Sequence, residues 1–283
     1  MRKTAMLRQL LSRGEILVVP GAYDAASAIA AARTGFEAVY MTGSGATTSL
    51  TGLPDIGLAT MTEMVMKAAY IAEAVPVPVI SDADTGYGNA VNVMRTVREF
   101  ERAGVAGIHL EDQVSPKRCG HVGGKQVVSI EEGVGKIRAA VEARTDPDFV
   151  LIARVDSRAV AGFEDAVRRG RAYREAGADV IFPEALESPE EFAAYAREVD
   201  APLLANMTEF GRSPYLSAEE LQGMGYRVVI FPVTAFRVAL KAVLDFYREL
   251  RRTGTQRGYL DRMVTREQQY ELIDYARYSR WER

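Results

Sequence analysis

The chain has 283 residues but only one cysteine and two histidines. A lone thiol, Cys119, makes no intrachain disulfide, so a disulfide scaffold is excluded and a reducing compartment is expected. A structural zinc site usually needs a full tetrahedron of Cys and His ligands, and too few are present. Any bound metal must therefore be held by oxygen. An excess of one charge is also missing: 35 Lys plus Arg against 38 Asp plus Glu leave a net charge of −3. That balance carries no electrostatic footprint for nucleic acid or an anionic membrane. No apolar run reaches the roughly 18 residues of a membrane span. The N-terminal MRKTAMLRQLLSRGE is basic but has no apolar core of signal-peptide length. These absences predict a cytoplasmic globular protein with no membrane or nucleic-acid partner.

What is present is a repeated alternation. Short apolar, β-branched runs predict strands at Ile16–Pro20, Ala38–Thr42, Val77–Asp82, Gly107–Glu111, Phe149–Arg154, Val180–Pro183, Pro202–Asn206 and Val228–Pro232. Between them, helical periodicity marks segments such as Glu63–Ala74, Ala90–Ala103, Glu131–Ala143 and Phe163–Ala176. Ser129 with Glu132 and Ser217 with Glu220 have capping-box spacing, and Gly35, Gly104 and Gly177 stand where helices should stop. Strands alternating with helices predict parallel βαβ units, and eight of them without a linker favour one (β/α)8 barrel domain spanning 1–283. An open doubly wound sheet is the alternative, but PGAYDAAS after the first strand lacks the dinucleotide-binding glycine pattern. The segment 238–283 exceeds what the barrel needs and forms a helical extension, expected to pack on a neighbouring subunit.

A barrel carries its active site at the C-terminal ends of its strands. There the sequence places Thr42-Gly43-Ser44, Asp82-Ala83-Asp84, Glu111-Asp112, Arg154-Val155-Asp156, Glu184, Asn206-Met207-Thr208 and Thr234 to Arg237. Carboxylates converging on one mouth are costly to bury unless paired or bound to a cation. Oxygen-only ligation points to Mg2+, although individual acids could instead pair with Arg154 or nearby lysines. Asp82 and Asp84 are the leading ligands, since alternate residues of a strand share a side. After the fourth strand, Ser115 to Lys125 is a glycine-rich stretch with the profile of a mobile active-site loop. Its thiol, Cys119, is flanked by Lys117, Arg118 and His121, a cationic setting that favours proton transfer. A small buried filler is the competing role for Cys119. His121 is open to pairing with Glu111 or Asp112, and His109, inside an apolar strand, reads as a satisfied core residue.

SDADTGYGNA, GIHLEDQVSPKRCGH, ARVDS and NMTEFG together resemble the isocitrate lyase and phosphoenolpyruvate mutase superfamily, most closely its methylisocitrate lyase branch, from about Val18 to Arg266. The resemblance implies a Mg2+-dependent barrel, a homotetramer with the last helix exchanged between subunits. It also implies cleavage of methylisocitrate to pyruvate and succinate. On matching positions it implies substrate contacts from Thr42, Gly43, Ser44, Cys119, Gly120, Arg154, Glu184, Asn206, Met207, Thr208, Arg237 and Arg266. Metal ligation falls to Asp82, Asp84 and Glu111, proton donation to Cys119, carbonyl or carboxylate binding to Arg154, and the base to Tyr40 or a metal-bound water. Two motifs depart from the usual pattern: Ser-Gly-Gly reads Thr42-Gly43-Ser44, and R-T-D reads Arg154-Val155-Asp156. A carboxyphosphonoenolpyruvate-type phosphonomutase, an oxaloacetate decarboxylase and a substituted-malate lyase are the alternatives within the superfamily.

Overall fold

A computed structural model describes residues 1–121 and 123–281. The eight expected strands form: β1 (Leu17–Ala22), β2 (Val39–Met41), β3 (Val79–Asp82), β4 (Gly107–Glu111), β5 (Val150–Val155), β6 (Val180–Pro183), β7 (Leu204–Asn206) and β8 (Val228–Phe231). They pair in parallel in the order β6-β5-β4-β3-β2-β1-β8-β7. A parallel bridge from Ile181 to Leu203 joins β6 to β7 and closes the sheet into a barrel. The open-sheet alternative is thereby excluded.

Helices follow the strands as predicted, with ends shifted by a few residues: α1 (Lys3–Ser12), α2 (Ala25–Arg33), α3 (Gly43–Thr51), α4 (Met61–Ala74), α5 (Ala90–Arg102), α6 (Ile130–Ala143), α7 (Arg158–Ala161), α8 (Phe163–Glu175), α9 (Pro189–Glu198), α10 (Ala218–Gly223), α11 (Thr234–Thr253), α12 (Arg266–Leu272) and α13 (Tyr275–Ser279). Ser217 and Glu220 make the full reciprocal box, whereas Ser129 only accepts from the Glu132 N–H. The glycines expected at helix ends, Gly35, Gly104 and Gly177, all have positive φ.

Strand periodicity sorts the side chains. Leu17, Val19, Tyr40, Ile80, Val150, Ile152, Val180, Phe182, Leu204, Val228 and Ile230 fill the lumen, sealed from below by Leu7 of α1. Their neighbours face outward beneath the helices, among them Val39, Val79 and Leu151 on one side and Ala153, Ile181 and Val229 on the other. Each fully buried aliphatic side chain contributes about 2 kcal/mol relative to exposure. One step further along the same inward face, Tyr40 leads to Thr42, Ile80 to Asp82, His109 to Glu111, Ile152 to Arg154, Phe182 to Glu184 and Leu204 to Asn206. The lumen thus changes from apolar to polar at a single level, and that level is the barrel mouth.

The tail departs from this economy. None of the 20 residues of α11 is buried, and Val238, Leu240, Val243, Leu244 and Tyr247 are exposed along it. After it the chain turns back, and Leu272, Ile273 and Tyr278 line a groove of about 520 Å³ against α2 and α4. No helix among the described residues is long and apolar enough to cross a membrane.

Candidate active site

The mouth encloses a cavity of about 80 Å³ lined by Tyr40, Asp55, Asp82, Lys117, Arg154 and Glu184, with Asn206, Thr208 and Arg237 at its side. Cys119, Gly120 and His121 also line it, so the glycine-rich loop lies over the site. Cys119 is exposed, which removes the buried-filler role.

One wall is the beginning of α3. Thr42 caps it, its hydroxyl accepting from the Gly45 N–H at 3.3 Å, and the free amides of the first turn favour an anion there. Close packing with the carboxylates depends on Gly43: a Cβ at that position would lie 2.2 Å from Asp82 Oδ2. A Cβ on Gly120 would lie 2.4 Å from Arg154 Nη2 and 2.6 Å from Glu184 Cγ, so the loop backbone rests directly on the charged floor.

The second wall is acidic. Lys117 Nζ lies 2.5 Å from Asp55 and 2.9 Å from Asp84, with Asp82 and Glu111 close by. Four carboxylates thus share one buried ammonium. Burial raises Asp82, lifts Asp84 to about 6 and holds Glu111 well above the usual range, only partly offset by Lys117 at the aspartates and by Arg154 and then Lys117 at Glu111. Burial opposes the charge on Lys117, but the surrounding acids raise it far above an ordinary lysine. Neither Glu111 oxygen has a hydrogen-bond partner. This excess of buried negative charge fits a divalent cation. Among the described residues no three acid, imidazole or thiol groups are set to hold one directly. Asp82, which lines the cavity, would hold such an ion together with Asp84 and Glu111. Strand alternation is not what unites the two aspartates: β3 ends at Asp82, and Asp84 sits beyond it in left-handed backbone (φ 46°), its N–H donating to Asp82 Oδ1 at 2.9 Å.

The floor is built around Arg154. Its Nε and Nη2 bond both oxygens of Asp156 at 2.9 and 3.2 Å, and it lies 3.4 Å from Glu111 and 3.3 Å from Glu184. The pairing of strand-end acids with Arg154 is therefore real, and it coexists with the acidic wall. Burial would raise Glu184, but Arg154 and His121 hold it well below the usual carboxylate range. His121 Nε2 is 2.7 Å from Glu184. It pairs with neither Glu111 nor Asp112, because the loop crosses the mouth to β6 instead of folding back on β4. Asp112 is occupied elsewhere, by the Asp156 N–H, Arg169 and Tyr173.

Tyr40 and His109 meet in the lumen, phenol oxygen to Nε2 at 2.7 Å. Burial drives Tyr40 well above 10 and His109 down to about 3. Burial thus favours the neutral imidazole and the protonated phenol. At the rim, Arg237 Nη1 donates to the Glu209 carboxylate and carbonyl at 2.7 and 2.8 Å and lies 3.4 Å from the Thr208 hydroxyl. Asn206 Nδ2 donates to Glu184 at 3.2 Å.

Two expected contacts lie elsewhere. Met207 is buried in the outer core, its sulfur accepting from the Leu216 N–H, because it faces opposite to Asn206. Arg266 opens α12 and is exposed, away from this chain's cavity. The 20-residue α11 is about 30 Å long and carries the tail away from the mouth. Asp55, in the aperiodic LPDIG loop, and Glu209, in the NMTEFG motif, join the site with no periodic signal in the sequence to mark them. Lys117, a cationic neighbour of Cys119 in the sequence, stands at the centre of the acidic wall.

Residues 7–251 match the phosphoenolpyruvate phosphomutase family. The chain is 53% identical to 2-methylisocitrate lyase of Aeropyrum pernix, with 99% of this chain and 90% of that protein covered. It is equally 53% identical to 2,3-dimethylmalate lyase of Eubacterium barkeri, covering 94% and 92%. A crystal structure of 2,3-dimethylmalate lyase superposes with a TM-score of 0.94 at 40% identity, covering 99% and 94%. With an acidic wall, an arginine floor and a cysteine-bearing loop at the mouth of a closed parallel barrel, the chain belongs to the phosphoenolpyruvate mutase and isocitrate lyase superfamily and is an enzyme of it.

Proposed function

We propose that this enzyme is a Mg2+-dependent carbon–carbon lyase that cleaves 2-methylisocitrate to pyruvate and succinate. The observation that carries the reading is that more than one anion-binding group lines the same cavity. Arg154 and the first turn of α3 at Gly43 and Ser44 line it, and so does Arg237, with Thr208 and Asn206. A tricarboxylate has carboxylates to offer to both, and the planar guanidinium suits each.

Bound at Asp82, the metal would supply Lewis acidity to the oxygens destined for pyruvate. Arg154, kept charged by Asp156, Glu184 and Glu111, binds the pyruvate carboxylate or the developing carbonyl. The tertiary alcohol loses its proton into the carboxylate cluster around Asp82, and the carbon–carbon bond breaks toward the succinate half. Its electron pair becomes a carbanion stabilised by the adjacent carboxylate. Cys119 then gives its proton to that carbon under the closed loop, which excludes water. Glu184, ionised and triply engaged, holds His121, Asn206 and Arg154 in place.

The exposed face of α11 supports the homotetramer and the helix exchange implied by the resemblance, with a second copy covering that face. Arg266 would then serve a neighbour's cavity. A substituted malate is a second substrate class, favoured by the small volume of the cavity. Pyruvate release measured in parallel from 2-methylisocitrate, 2,3-dimethylmalate, isocitrate and oxaloacetate, with Mg2+ and with chelator, tests the proposal. Preference for 2-methylisocitrate with Mg2+ supports it. Preference for dimethylmalate transfers the assignment, and activity unaffected by chelator removes the metal.

A further inference from the structure

The segment carrying Cys119 is tied on both sides to one buried carboxylate. Before it, Gln113 holds the Arg118 backbone twice: its amide nitrogen donates to the Arg118 carbonyl and its oxygen accepts from the Arg118 N–H, both at 2.9 Å. The same nitrogen donates to Asp156 Oδ1 at 3.2 Å. After Cys119, Lys125 Nζ donates to the Gly120 carbonyl at 2.6 Å and to Asp156 Oδ1 at 2.7 Å. Asp156 is the residue that grips Arg154, and its own N–H is held by Asp112 at 2.8 Å. Gln113, Lys125 and Asp156 are all buried, and none of the three lines the cavity.

We propose that Gln113 and Lys125 are positioning residues that use Asp156 as a common anchor to register the Cys119 segment against Arg154. The Gln113 and Lys125 side chains that hold Arg118 and Gly120 bond to the same carboxylate as the guanidinium of Arg154, so the loop cannot settle in another register without giving up charge-assisted bonds. A buried ammonium without its carboxylate is strongly disfavoured. Lys125 therefore docks only when Asp156 is reached, and docking brings the Gly120 carbonyl with it. The narrow fit of Gly120 over Arg154 and Glu184 makes such registration necessary. The functional meaning rests on the proposed lyase reading, in which Cys119 and Arg154 act on one substrate; the structural claim does not.

The test uses the full-length chain as Gln113→Met, Lys125→Met and Lys125→Arg, with hydrogen exchange followed by mass spectrometry in the absence of substrate. The two methionine variants cut the two arms independently, so a folding defect in one leaves the other readable. In peptides covering 115–121, exchange should quicken about tenfold, the scale of one lost hydrogen bond such as that from the Arg118 N–H to Gln113. Peptides of β6 and α8 should be unchanged, and Lys125→Arg should recover most of the protection. In turnover, kcat should fall about tenfold or more while KM stays within about threefold. Unchanged exchange at 115–121 in both methionine variants overturns the proposal, whatever happens to activity. A wild-type protein without lyase activity overturns the functional reading alone, since exchange still reports the anchor.

Discussion

Replacing Gly43 with alanine tests the coupling of the α3 wall to the acidic wall. The added Cβ would lie 2.2 Å from Asp82 Oδ2 and 2.7 Å from its Cγ, about 1 Å inside a tolerable contact. Rotating the carboxylate relieves these contacts only by taking it out of its place in the wall, and the Asp82 Cβ, at 3.2 Å, must still give by a few tenths of an ångström. Asp82 must move by about 1 Å or α3 must retreat, and a displacement of that size costs about 100-fold in rate. Stability should respond far less. Position 43 opens a helix, where alanine is preferred to glycine by up to about 1 kcal/mol, and this partly offsets the strain. The predicted signature is a fold that melts within a few degrees of wild type, combined with kcat/KM lowered about 100-fold and weakened Mg2+ binding by calorimetry. The assays are pyruvate release under saturating Mg2+ and direct Mg2+ titration of substrate-free protein. Wild-type Mg2+ affinity in Gly43→Ala would refute the placement of the metal at Asp82. Wild-type turnover would refute the shared use of the two walls.

Three further outcomes follow from the same geometry. Cys119→Ser should bind substrate normally yet lose cleavage by about 100-fold or more, the usual scale of a general acid; an active serine variant removes that role. Arg237→Ala should raise KM for a tricarboxylate much more than for a malate, and Arg237→Lys should not restore it, since lysine lacks the planar fork; equal effects on both substrates would deny Arg237 its specificity. His109 has its folded pKa lowered to about 3, so between about pH 6.5 and 3 the unfolded chain binds a proton that the folded one refuses. Stability linked to His109 is therefore present above about pH 6.5 and lost as pH falls, by several kcal/mol at most. Denaturant titrations of His109→Gln should show a shallower acid loss than wild type, and parallel curves would contradict the buried neutral imidazole.

The barrel was legible in the sequence because its determinants are local and periodic. An apolar run such as Val228–Phe231 cannot cover both faces except inside a parallel sheet, and helix caps such as Ser217 with Glu220 are written within four residues. The polar level at the mouth was legible too, since Asp82, Arg154 and Glu184 each stand two residues beyond a lumen side chain. Pairings across the mouth were not, because they join residues distant in the chain. Asp55 reaches Lys117 across 62 positions and His121 reaches Glu184 across 63, and no spacing rule connects them. The side to which a residue turns after a strand ends was equally hidden. Met207 follows Asn206 in one motif but packs outward, and Asp84 joins Asp82 through a left-handed turn. The sequence by itself determined the barrel, the level of its chemistry and the loop with the sole thiol. Tertiary structure alone decided which charges neutralise which, because that depends on distances through space across strands the chain visits far apart.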